Sequence, residues 1–166
     1  MKRFLPLFAL LVTASDLSAQ AVESKSYQAM LKTLLSHTVP ERSVSEIADD
    51  TNIVWLDARE LNEYQVSQIE NAQWVGYNDF SLSRVENINK DDEVIVYCSV
   101  GYRSEKVAEK LMKAGYSNVS NLYGGIFEWK NQGNQVVDST STTTEKVHAY
   151  DRMWGIWLKK GKKVFD

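Results

Sequence analysis

The unbroken apolar stretch Val94-Ile95-Val96-Tyr97 ends on Cys98, the only cysteine among 166 residues, and a helical pattern follows it closely. A strand from Glu93 to Tyr97 that is apolar throughout after its first residue predicts a central position in a parallel sheet, buried on both faces. From Ser104 onward the apolar positions Val107, Ala108, Leu111 and Met112 define one helix face, with Gly115 as a natural end signal. Cys98-Ser99-Val100-Gly101-Tyr102-Arg103 must therefore bridge a buried strand and a helix start. Backbone N–H groups converge on one point at such junctions, with the positive end of the helix dipole behind them. A thiol held there is a candidate nucleophile.

Energetics set the requirement. A free cysteine titrates near about 8.5, and making the thiolate the majority species at neutral pH needs about 2.7 kcal/mol. A helix N-terminus contributes only about 0.3–1 kcal/mol, so loop amides and the Arg103 cation have to add the rest. The competing reading makes Cys98 a small buried hydrophobe.

The remaining pattern is that of alternating strands and helices, an α/β layer with a mainly parallel sheet. Residues 23–36 read as an amphipathic helix ended by Pro40, and Ser45 reads as the cap of a second helix. Short strands are expected over Asn52 to Leu56, Ala72 to Val75 and Asn118 to Leu122, with helices over Glu60 to Val66 and Ile126 to Lys130. Residues 138–146 have the polar composition of a linker. Beyond it, Val147, Tyr150, Trp154, Trp157 and Leu158 recur at helical intervals before a lysine cluster. That stripe predicts a terminal helix, docked on the domain or lying on a membrane surface.

The first 21 residues carry a basic start, a short apolar run and Ala19-Gln20-Ala21, the pattern of a signal peptide. The expectation is an exported, soluble protein without stable membrane association. Removing that segment shifts the formal charge from −3 to about −4, which argues against nucleic acid as a partner. A single cysteine in an exported chain has no internal partner and suggests a reactive thiol. His37, His148 and one cysteine make no convincing zinc site, so no metal and no cofactor are expected. Asp57, Arg59 and Glu60 read as a structural ion-pair network rather than an acid/base set, and Trp55, Trp74 and Trp129 as core.

Val54-Trp55-Leu56-Asp57-Ala58-Arg59-Glu60, Glu63-Tyr64, Val94 to Cys98, the Cys-x-x-Gly-x-Arg loop and Leu122-Tyr123-Gly124-Gly125-Ile126 with Trp129 occur in an order that resembles rhodanese-like domains, small periplasmic ones in particular. The resemblance implies a central five-stranded mainly parallel sheet flanked by helices, to which the patterns described above add extra N- and C-terminal helices. The layout is then a signal peptide (1–21), a helical extension (22–44), a rhodanese-like domain (45–137), and a linker with terminal helix (138–166). Where that family usually shows Gly-His-Ile-x-Gly-Ala, this chain has Ser67-Gln68-Ile69-Glu70-Asn71-Ala72, and Asn71 suits a left-handed turn nearly as glycine does.

The resemblance also implies an activity. Cys98 takes sulfane sulfur from thiosulfate or a persulfide and passes it to cyanide, a thiol or a protein acceptor, as in covalent catalysis. Ser99, Val100, Gly101, Tyr102 and Arg103 would bind the transferred sulfur or its donor, and Asp57 and Arg59 would support the site. Arg103 either holds an anionic donor or pairs with an acidic neighbour and braces the loop. Four residues separate Cys98 from Arg103, whereas cysteine phosphatases place five, and Tyr97 stands where those enzymes carry histidine. Sulfur transfer is thus favoured over phosphatase or arsenate reductase chemistry. A module that binds or senses without turnover is the alternative.

Overall fold

The computed structural model describes residues 22–47 and 50–165; the expected signal peptide lies outside the described residues. A five-stranded parallel sheet has the order β1-β5-β4-β2-β3, from β1 (Glu41–Arg42), β2 (Val54–Asp57), β3 (Gln73–Trp74), β4 (Val94–Tyr97) and β5 (Val119–Leu122). The helices are α1 (Lys25–Leu34), α2 (Val44–Ile47), α3 (Leu61–Val66), α4 (Tyr102–Lys113) and α5 (Gly125–Asn131). β4 is the central strand, with every residue buried. Its side chains alternate between two cores. Ile95 and Tyr97 face one containing α1, α5 and the C-terminal segment, while Val94 and Val96 face the other, packed by Val107 and Leu111 of α4.

Strand β1 has no hydrophobic signature of its own. It forms because β5 presents a free edge, to which Asn121 and Tyr123 donate backbone hydrogen bonds on Pro40 and Arg42. Helix α1 stops at Leu34, well before Pro40. The buried carboxylate of Glu105 on α4 accepts the amides of Ser36 (3.0 Å) and Thr38 (3.1 Å), and His37 between them turns through φ +55°; this capture replaces the helix ladder. Ser45 does not cap the second helix: it lies inside α2, and Ser43 ahead of it bonds Glu46 through both its amide (2.7 Å) and hydroxyl (2.6 Å). Asn71 adopts φ +62°, as its side chain allows.

The segment expected to be a linker is a small hairpin, β6 (Val136–Val137) against β7 (Thr143–Thr144). Asp138 organises its turn by accepting the Thr140 amide (2.9 Å), the Thr140 hydroxyl (2.7 Å) and the Thr142 amide (3.2 Å). The expected terminal helix is likewise absent among the described residues. β8 (Lys146–His148) pairs in parallel with β9 (Lys162–Val164), and only a 3-10 turn, Trp154–Trp157, lies between. The aromatic spacing served tertiary contacts instead: Trp157 stacks on Tyr27 of α1 at 5.2 Å, and the Asn131 side chain binds the Trp157 carbonyl and the Lys159 amide. Of the three tryptophans expected in the core, Trp55 and Trp129 pack edge to face at 5.3 Å, whereas Trp74 is half-buried with Arg84 over its ring.

Candidate active site

The loop after β4 owes its shape to α5. The amide of Ile126 donates to the Cys98 carbonyl (2.9 Å) and that of Phe127 to the Ser99 carbonyl (3.2 Å), so these oxygens point towards α5. On the other side, the Gly101 amide donates to Cys98 Sγ at 3.2 Å. The Gly101 carbonyl accepts in turn from Asn121 Nδ2 (3.0 Å) and Ser104 Oγ (3.1 Å), and the Ser104 hydroxyl also donates to Asn121 Oδ1 at 2.7 Å. Gly101 sits at φ +121°, a conformation closed to most side chains, and α4 starts on the next residue. Cys98 is thus held against a backbone donor at the N-terminal end of a twelve-residue helix.

Gly125 makes that packing possible. A Cβ there would lie 2.6 Å from the Ser99 carbonyl oxygen and closer still to that of Cys98, and its φ of +58° is itself unfavourable for other residues. Gly125→Ala is expected to cost about 2 kcal/mol or more in stability by pushing α5 off the loop. Chemical denaturation measures this, and a loss below about 0.5 kcal/mol would contradict the proposed packing.

Arg103 has an acidic partner. Its guanidinium forms two bonds to the buried Glu63 carboxylate, at 2.6 and 2.8 Å, and a third to Ser99 Oγ at 3.0 Å. Ser99 Oγ also donates to Glu63 (3.1 Å), whose other oxygen accepts the Glu60 amide at the start of α3 (3.0 Å). Burial pushes the Glu63 pKa up, but hydrogen bonds and charge from Arg103, with Arg59 beyond, outweigh it and leave the group below the usual carboxylate range. Burial also opposes the Arg103 cation, and the Glu63 bonds with the charges of Cys98, Glu63 and Asp57 override it, raising its pKa. Of the two roles open to Arg103, bracing the loop is the one its hydrogen bonds perform.

Asp57 and Arg59 form the expected ion pair at the end of β2, both fully buried, with Arg59 Nη2 2.6 Å from Asp57 Oδ2 and 2.5 Å from the Ser67 carbonyl. Glu60 lies apart from that pair and accepts from Asn78 Nδ2 at 2.8 Å. No cluster of three or more metal-binding side chains occurs among the described residues.

Cys98 is only 1% exposed, yet it opens onto a cavity of about 530 Å³, together with Ser99, Val100, Tyr102 and Arg103 of the predicted set. Gly101 acts through its amide. The opposite walls were not foreseen: Leu34 comes from α1, Glu60, Tyr77 and Asn78 from the loops after β2 and β3, and Tyr150 and Trp154 from the C-terminal segment. Glu63 stood within the recognised motif but carried no assigned role; an acid one turn into the helix after a strand-end Asp-x-Arg is the signal that could have marked it.

The family model for the rhodanese-like domain matches residues 41–132. The chain belongs to the rhodanese-like domain family. A curated relative, a tRNA uridine(34) hydroxylase of Pectobacterium carotovorum, is 34% identical over 94 residues, which is 54% of this chain but only 26% of that protein. The chain thus spans about a quarter of the length of such relatives. Among solved structures, a thiosulfate sulfurtransferase from Pseudomonas aeruginosa aligns with TM-score 0.56 at 23% identity, covering 80% of this chain and 26% of that one. A rhodanese-like domain from Anabaena aligns with TM-score 0.51 at 23% identity, covering 57% and 72%. These two likenesses concern the fold. The family match ends before Tyr150 and Trp154 and begins after Leu34, so part of the cavity wall lies outside the rhodanese-like domain proper.

Proposed function

We propose that this chain is a sulfurtransferase that carries sulfane sulfur as a Cys98 persulfide. The observation that supports it most directly is the Gly101 amide aimed at Cys98 Sγ, at the N-terminus of α4 and open to a cavity. The Cys98 thiolate attacks the outer sulfur of a donor, the donor's S–S bond breaks, and the leaving group departs with the bonding pair. The outer sulfur of the persulfide then goes to a thiophilic acceptor, cyanide or a thiol, which restores the thiolate. No general base is required once the thiol is ionised. Arg103, with its fork occupied by Glu63, offers no free bidentate face to a phosphate, which favours sulfur over phosphoryl chemistry. The hydroxylation named for the curated relatives belongs to proteins about four times longer than the shared segment, and the acidic charge of this chain supports no nucleic-acid partner. We place its action in the periplasm, on the strength of the first 21 residues, with a small sulfur compound or a protein thiol as partner.

Intact-mass measurement after incubation with a sulfane-sulfur donor tests the reading. The expected product is heavier by one sulfur, roughly 32 Da, and cyanide discharges it as thiocyanate. Reversible oxidation of Cys98 with no sulfur adduct from any donor would instead indicate a sensing module.

A further inference from the structure

Both chain extensions help to line the Cys98 cavity. α1 contributes Leu34 and the C-terminal segment contributes Tyr150 and Trp154. They are tied to each other and to the site: Tyr27 of α1 stacks on Trp157 and donates to the Gly124 carbonyl at 2.8 Å, and the Tyr150 ring lies 5.1 Å from the Arg103 guanidinium. With Tyr77 and Tyr102 they give the cavity walls that are largely aromatic and aliphatic.

The charges of the site favour the same kind of ligand. Arg103 is the only lysine or arginine among the lining residues, and Glu63 already neutralises it. Glu60 adds a carboxylate to the wall, so among the lining side chains a small dianion finds no uncompensated cation. A volume of about 530 Å³ lies in the range that holds organic ligands, far beyond what a five-atom anion fills.

Resting on the sulfur-transfer reading, we propose that Tyr150 and Trp154 are specificity-determining residues that select an organic sulfane-sulfur donor with an apolar substituent, neutral or singly charged. For such a donor of the thiosulfonate class, the Cys98 thiolate bonds to the terminal sulfur, the bond between that sulfur and the sulfonyl sulfur breaks, and a sulfinate leaves with the electron pair. Cyanide removes the sulfur as thiocyanate and regenerates the thiolate, so charge and atoms balance without an external oxidant or reductant.

Benzenethiosulfonate and methanethiosulfonate share the same charge and leaving-group chemistry and differ in the apolar group. With cyanide as acceptor, kcat/KM is expected to favour the benzene compound by about tenfold or more. Trp154→Ala and Tyr150→Ala should each reduce that preference at least about threefold, whereas Met153→Ala, on an exposed side chain outside the cavity lining, should not change it. Equal rates for the two donors, or a preference that both aromatic variants leave intact, overturns the assignment while sulfur transfer stands. If neither these donors nor thiosulfate loads sulfur onto the protein, the sulfur-transfer reading falls and this one with it.

Discussion

Cys98→Ser is expected to abolish sulfur loading: no 32 Da adduct from any donor, and thiocyanate formation down by at least about four orders of magnitude, equivalent to about 5.5 kcal/mol in the barrier. A serine hydroxyl at the same position keeps the Gly101 contact, but it stays protonated at neutral pH and attacks divalent sulfur poorly. With no second cysteine in the chain, residual adduct has no alternative thiol to form on. Stability should change by less than about 1 kcal/mol, because the substitution is nearly isosteric and retains a polar atom where one donor already points. An adduct that survives in the serine variant would remove Cys98 from the chemistry.

Asp57→Ala should produce the largest loss of stability, about 3–5 kcal/mol by chemical denaturation. The Asp57 carboxylate accepts the Arg59 amide (2.9 Å), Nε (3.0 Å) and Nη2 (2.6 Å), and neither side chain reaches solvent. Deleting it strands a guanidinium in the interior, where Nη1 already has no hydrogen-bond partner. The damage should spread to the active site. Arg59 holds the Ser67 carbonyl just past α3 and accepts Trp74 Nε1 on its own carbonyl (2.9 Å), and α3 carries Glu63, which braces Arg103. Replacing the pair together, as Asp57→Leu with Arg59→Met, should recover most of the loss, since apolar residues of similar size carry no desolvation penalty. A single-variant loss under about 1 kcal/mol would show that the pair contributes little.

How far the residues alone could be read depended on whether the partners of a feature lie close by in the chain. The strand, the turn after Cys98 and the glycine end of α4 are set by contiguous residues, through apolar period and backbone freedom, and appear where expected. Helix α4, by contrast, starts at Tyr102, two residues before the apolar period shows it, because Gly101 at φ +121° turns the chain directly into the helix. Strand β1 is polar and short, and it exists only because β5 has an edge to pair with. The C-terminal aromatics mimic a helix, but Tyr150 at φ +65° leaves helical geometry and Trp157 is drawn to Tyr27, over a hundred residues away.

The same division runs through the active site. The amino-acid order determined that a lone thiol would end a buried strand and face a helix N-terminus, because local propensities and the 3.6-residue period depend only on neighbours. Tertiary structure alone decided that Arg103 is tied to Glu63 and that Leu34, Tyr150 and Trp154 wall the cavity. Those outcomes come from packing between segments 40 to more than 100 residues apart, where the energy of docking one surface on another outweighs anything a short stretch prefers.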